Sequence, residues 1–224
     1  MRIPALRSAA ALVAATFLLP AAALAVPPGY ITQWGSAGNG SGQFNAPFDV
    51  KVGAGGNVYV ADDANYRIQV FTASGTYVFE WPVGNACELA ITPAGDVHEA
   101  DYGSSSVQVF TSTGVPVTQW GGYGTGNGQF QYISVVALDG SGDVYAMDWI
   151  GCRVQKFTGG GAYLTQWGSN GSGNGQFVDP YGIAVGAGGT VYVVDRGNSR
   201  VQEFGQLATP ARSTTWGGLK ALYR

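Results

Sequence analysis

The chain repeats itself. Residues 42–52 read GQFNAPFDVKV and are followed by GNVYVADDANYRIQVF over 56–71. Residues 175–185 read GQFVDPYGIAV and are followed by GTVYVVDRGNSRVQEF over 189–204. Two looser copies lie between them. A repeat of about 40–45 residues with four short apolar runs leaves its own faces bare, so neighbouring copies must stack on it. This constrains the fold more than any other feature. It constrains function far less, because one such architecture carries many unrelated activities.

Aligning the copies yields four strands per unit. The first strand reads 49–52, 88–91, 135–138 and 182–185, and the second 58–62, 97–101, 144–148 and 191–195. The third ends in Phe71, Phe110, Phe157 and Phe204, and the fourth in Trp81, Trp120 and Trp167. β-Branched and aromatic residues alternate within each run. Glycine, at 36 of 224 residues, is far above its usual share of about 7%. It falls in periodic turns between these runs and reads as turn chemistry. Four-stranded blades of this kind build a β-propeller.

A GQF start, an Ala-Val first strand, VYV-x-D, Asn-x-Arg, Val-Gln-x-Phe and a closing Gln-Trp-Gly together resemble the NHL repeat family. The resemblance covers roughly residues 30–204; the second copy departs most, lacking GQF and the proline. It implies an all-β NHL propeller of about four four-stranded blades. Tyr30-Ile31-Thr32-Gln33-Trp34 duplicates the fourth-strand copy Tyr163-Leu164-Thr165-Gln166-Trp167, yet precedes the first repeat. It is therefore expected to close the ring by completing the last blade and covering its edge. Ser213–Trp216 is a rival for that strand, at a Phe-to-Trp spacing of 12 instead of 10 and with Pro210 in the way. An open arc, or two chains sharing one ring, are the alternatives to closure within one chain.

Residues 1–25 read as a secretory signal. Arg2 and Arg7 precede an apolar run, and Ala23-Leu24-Ala25 is a small-x-small cleavage site. The run is shorter than the ~20 residues that span a bilayer, so no stable membrane insertion is expected after cleavage. Residues 26–208 are then the propeller and 209–224 a C-terminal tail, in a protein that is secreted, periplasmic or held at the cell surface. Without Arg2 and Arg7, nine basic residues face fourteen acidic ones. An acidic surface argues against nucleic acid as a partner. An oxidising compartment permits a Cys87–Cys152 disulfide, but nothing in their spacing says that they meet.

The strongest recurring polar pattern is an Asp closing the second strand with an Arg five residues on: Asp62/Arg67, Asp148/Arg153 and Asp195/Arg200. These read as structural ion pairs. In the second copy Ser106 replaces the Arg, which leaves Asp101 without it. Other polar residues gather in that copy. His98 stands where the others have tyrosine, and Glu99 where they have Val60, Ala146 and Val193. Glu88 matches Asp49 near the start of an innermost strand. Asp49 and Glu88 could face the axial channel together and hold Ca²⁺, which takes 6–8 oxygen ligands. Glu99, Asp101 and His98 form a second possible cluster, although neighbouring strand residues point to opposite faces.

The resemblance implies either an enzyme or a binding module. A histidine-based zinc site of the amidating-lyase kind is excluded by the single histidine. A gluconolactonase-like calcium site finds only Asp49 and Glu88, and a lyase similar to the streptogramin-inactivating enzymes would have only His98 as base. The leading expectation is a non-catalytic exported scaffold with no required cofactor, binding a protein, peptide or glycan as a monomer or ring-sharing dimer. The alternative is a Ca-dependent hydrolase or lyase with an acidic site at the channel mouth.

Overall fold

A computed structural model describes residues 29–205. The expected leader 1–25, the tail 209–224 and the rival strand Ser213–Trp216 lie outside the described residues. Among these residues fifteen strands form four antiparallel meanders. The first blade contains β1 (Pro47–Val52), β2 (Val58–Asp62), β3 (Arg67–Phe71) and β4 (Tyr77–Pro82). The second contains β5 (Ala86–Ile91), β6 (Val97–Asp101), β7 (Ser106–Phe110) and β8 (Pro116–Gly121). The third contains β9 (Ile133–Leu138), β10 (Val144–Asp148), β11 (Arg153–Phe157) and β12 (Tyr163–Trp167). The fourth has three strands among the described residues: β13 (Pro180–Val185), β14 (Val191–Asp195) and β15 (Arg200–Phe204). All four blades lie in one compact unit that begins at Gln33.

The first strands pack side by side, β1 on β5, β5 on β9 and β9 on β13, and are therefore the innermost. The core lies between blades. Tyr59, Ala61, Ile68 and Val70 of the first blade meet Leu89, Val97 and Phe110 of the second. Ala100, Val107 and Val109 of the second meet Ile133, Val136, Val144 and Phe157 of the third. Tyr145, Met147 and Val154 of the third meet Val191, Val193 and Phe177 of the fourth. The second and third blades thus each have one face turned to the preceding blade and one to the following blade, as the period-2 alternation of strand side chains requires. Cys87 sits in the second of these cores and Cys152 in the third, and both are free thiols.

Each outer-strand tryptophan reaches over the next blade. Trp81 packs on Phe110 and Trp120 on Phe157. The turn after the third strand must yield space. A Cβ at Gly114 would lie 2.7 Å from the Trp81 ring, and one at Gly161 would lie 2.2 Å from Trp120. Both glycines also have positive φ, which suits glycine in a tight turn. Trp34 makes the same contact with the first blade, against Phe71 and Gly75. Among the described residues, 30–34 carry no strand assignment.

Candidate functional site

The repeated polar residues make a frame at the end of each blade where the first strand begins and the second finishes. Asp62 Oδ1 accepts the Asn45 N–H at 2.7 Å, Asp148 Oδ1 those of Gln131 and Tyr132, and Asp195 Oδ1 that of Val178. The other carboxylate oxygen accepts from arginine: Arg67 Nε at 2.8 Å, Arg153 Nε at 3.0 Å and Arg200 Nε at 2.7 Å. Each arginine then donates to carbonyls of the preceding Gly-rich loop, Gly40 and Gln43, Gly126 and Gln129, Gly173 and Gln176. A glutamine two residues on (Gln69, Gln155, Gln202) donates to the same Gln43, Gln129 and Gln176 carbonyls. The carboxylate therefore staples the entering chain to the blade, and the arginine staples the loop to both.

The second blade explains its own exception. Only residues 83–85 separate β4 from β5, so no Gly-rich loop offers carbonyls to an arginine. Ser104 and Ser106 take the arginine's place. Ser104 Oγ donates to Asp101 Oδ2 at 2.8 Å and lies 2.7 Å from Ser106 Oγ, while Asp101 Oδ1 accepts from the N–H groups of Asn85, Gly103 and Ser104.

This frame carries variable residues into a pocket of about 550 Å³. The residue after each stapling Asp is Asp63, Tyr102 or Trp149 in the first three blades, and all three line the pocket. In the fourth blade that residue is Arg196, whose guanidinium lies over the ring of Tyr181, itself a lining residue. The second residue of each first strand also lines the pocket: Phe48, Cys87, Ser134 and Tyr181. Tyr102 stacks on Tyr132 with ring centroids 5.6 Å apart, and Tyr132 meets Trp149 edge-on. The Trp149 indole N–H donates to Asp179.

Carboxyl groups charge one side of the pocket. Burial holds Asp63 above its ordinary pKa, reinforced by nearby Asp101 and Asp62. Burial likewise raises Glu88, and Asp49 adds to it against the opposing pull of Lys51. The Cys87 thiol at the pocket wall is pushed up strongly by burial, then by Glu99 and Glu88, and donates to the Ala100 and Ser134 carbonyls. Such surroundings disfavour the thiolate.

The five residues singled out by sequence do not converge. Asp49 and Glu88 do come together, but around Lys51, whose ammonium stands 2.8 Å from Asp49 and 3.1 Å from Glu88. Burial works against that ammonium, and the two carboxylates outweigh it and raise its pKa. Asp49 also accepts the Val50 and Leu89 N–H groups. Both Asp49 oxygens and Glu88 Oε1 are therefore already committed. His98 and Glu99 point to opposite faces of β6. His98 pairs in register with Ala90 and Val109 of the second-to-third core, and Glu99 with Leu89 and Gln108 on the face toward the first blade. Both are fully buried, and neither lines the pocket. Burial lowers the His98 pKa, against a smaller opposing pull from Asp96. Both Glu99 oxygens lack a hydrogen-bond partner, and burial, with Asp101 and Asp63 nearby, pushes its carboxyl well above 4.5. Asp101 belongs to the turn staple. Among the described residues no group of three or more His, Cys, Asp or Glu side chains is arranged to hold a metal ion.

Comparison with known proteins bears on the fold. The NHL repeat model matches residues 177–204, and no curated protein matches the chain. A streptogramin B lyase structure superposes with a TM-score of 0.57 at 17% identity, covering 74% of this chain and 56% of the lyase. A catalytically inactive virginiamycin B lyase from Staphylococcus aureus with quinupristin has the same score and identity, covering 77% of this chain and 58% of the lyase. The WD40 β-propeller domain of Doa1 scores 0.59 at 14% identity, over 74% of this chain and 53% of that one. The chain thus spans little more than half the length of these structures, and at such identities they show a shared propeller architecture alone.

Proposed function

We propose that this β-propeller, one stretch of which matches the NHL repeat, is an exported binding scaffold that seats a segment of a partner protein in the pocket beside its innermost strands. The observation that carries this reading is the pocket itself. A repeated staple of aspartate, arginine and glutamine holds its wall rigid, while the positions that face it change identity from blade to blade. Rigid scaffolds with variable projecting residues suit recognition.

The lining favours a basic side chain. Aromatic faces of Phe48, Tyr102, Tyr132, Trp149 and Tyr181 surround it, and a Lys or Arg side chain over such faces gains about 0.5–2 kcal/mol. Burial raises the pKa of both Asp63 and Glu88, so each carboxylate gains from a nearby cation. A bound cation supplies the missing countercharge. The calcium-dependent alternative is less well supported, since Lys51 already occupies the space between Asp49 and Glu88.

The test is selection of random peptides displayed on phage against the wild-type chain, followed by binding to an Asp63→Asn/Trp149→Ala variant. Enriched peptides should share a Lys or Arg and lose at least tenfold in affinity on the variant. Peptides that bind the variant equally well would remove the pocket from the reading. Binding on a glycan array with no peptide enrichment would move it to a carbohydrate ligand.

A further inference from the structure

The fourth blade carries an arrangement that the first blade repeats with one part missing. In both, the second residue of the innermost strand is the extra residue of a β-bulge. Pro47 and Asp49 are paired in register and Phe48 is not, and Pro180 and Gly182 are paired and Tyr181 is not. Such bulges re-aim a side chain, and both rings line the pocket. They are equally open, Phe48 at 53% exposure and Tyr181 at 52%. The innermost strand of each blade packs on a single 3₁₀ turn, Asp63–Asn65 in the first and Arg196–Asn198 in the fourth. The residue that heads this turn is Asp63 in one blade and Arg196 in the other.

In the fourth blade the set is complete. The Arg196 guanidinium lies over the Tyr181 ring, 5.6 Å from its centroid, and Arg196 Nε stands 3.2 Å from Asp179 Oδ2. Ring, cation and carboxylate all come from the chain. The first blade has the ring and the carboxylate alone. Among the described residues no cation lies over Phe48, and Asp63 enters no ion pair. The Tyr102 hydroxyl donates toward the Asp63 carboxylate from 3.4 Å, which is long for an O–H···O bond. The Asp63 oxygens are therefore open to a stronger donor. Glu88, the other carboxyl group in the lining, already has Lys51 beside it.

Resting on the reading of the pocket as a binding site, we propose that Phe48 and Asp63 form an arginine subsite within it. A guanidinium from the partner segment lies over Phe48 and forks onto the two oxygens of Asp63. It supplies to the first blade the cation that Arg196 supplies to the fourth. Arginine suits this place better than lysine. Its flat cation stacks on a ring and donates two parallel N–H bonds at the same time, whereas the lysine ammonium is a compact, strongly hydrated point charge. Asp63 and Phe48 are thus specificity residues: the first selects the charge, and the second selects the planar head that carries it.

The test uses the full chain and arrays of peptides of random sequence with one central arginine, beside the same sequences with lysine or citrulline in its place. Citrulline keeps the length and the planar head and removes the charge. Arginine peptides should bind at least tenfold more tightly than either counterpart. Asp63→Asn should abolish the advantage over citrulline, and Phe48→Leu should shrink the advantage over lysine. Phe48 is exposed, so its replacement leaves the core intact and keeps the test decisive if Asp63→Asn fails to fold. Lysine peptides that bind as well as arginine ones, or an arginine preference that survives both substitutions, would overturn the subsite. Loss of the same binding in Trp149→Ala would then show that the pocket reading itself stands. Binding by no peptide at all would overturn the pocket reading and the subsite with it.

Discussion

Glu99→Gln isolates a buried carboxyl with neither oxygen hydrogen bonded among the described residues. The Glu99 side chain is fully buried between the first two blades, and neither of its oxygens has a hydrogen-bond partner. Burial, aided by Asp101 and Asp63, raises its pKa well above 4.5, so the native state holds a proton that the unfolded chain releases. An acid whose pKa is raised on folding weakens the native state as pH climbs above the unfolded value, and continues to do so up to the folded value. Each pH unit in that window costs about 1.4 kcal/mol. For a domain of this size that corresponds to roughly 3–5 °C in Tm. Glutamine keeps the shape and removes the titration. Wild type and variant should therefore melt within about 0.5 kcal/mol of each other at pH 4.5, a difference of the size usual for substitutions that disturb no packing. Above that pH they should diverge, the variant becoming the more stable at the slope given. Urea melts at pH 4.5, 5.5 and 6.5 and constant ionic strength measure it. Curves that stay parallel across the three pH values would refute the argument, because they would mean that the native carboxyl ionises as readily as the unfolded one.

The frame and the blade contacts can be perturbed in the same way. Arg67→Met strands a fully buried Asp62 and frees the Gly40 and Gln43 carbonyls, so it should destabilise by about 3–5 kcal/mol. Arg200→Met should cost clearly less, since the Arg200 side chain is 28% exposed against 9% for Arg67; equal losses in chemical denaturation would contradict the screening argument. Gly114→Ala places a Cβ 2.7 Å from the Trp81 ring at a φ of +79°. It should lower stability by about 1–3 kcal/mol and shift Trp81 emission as the ring is displaced. An unchanged spectrum with unchanged stability would show that the ring is not seated there.

The fold was largely legible because the repeat is written in local terms. Alternating apolar runs, Gly turns and a tryptophan closing each unit specify a four-stranded meander wherever they occur, and the innermost order follows from stacking the units. The candidate site was much less legible. The sequence draws attention to polar residues that interrupt the pattern, such as His98 and Glu99, yet strand alternation sends these to opposite faces of β6 inside the core. The residues that do line the pocket, Phe48, Asp63, Tyr102, Trp149 and Tyr181, look unremarkable one by one. Their signal was a position that varies beside one that does not: the residue after the stapling Asp, and the second residue of each first strand.

Taken alone, then, the sequence determined the blade, its four strands and the chemistry of the turn, because these depend on residues within about 30 positions of one another. Only the tertiary structure decided the rest. It set Lys51 between Asp49 and Glu88, buried Glu99 without a partner, and left Val50, Val52, Val194 and Val201 bare at the two ends. Those outcomes turn on how one blade meets the next, which no single repeat encodes.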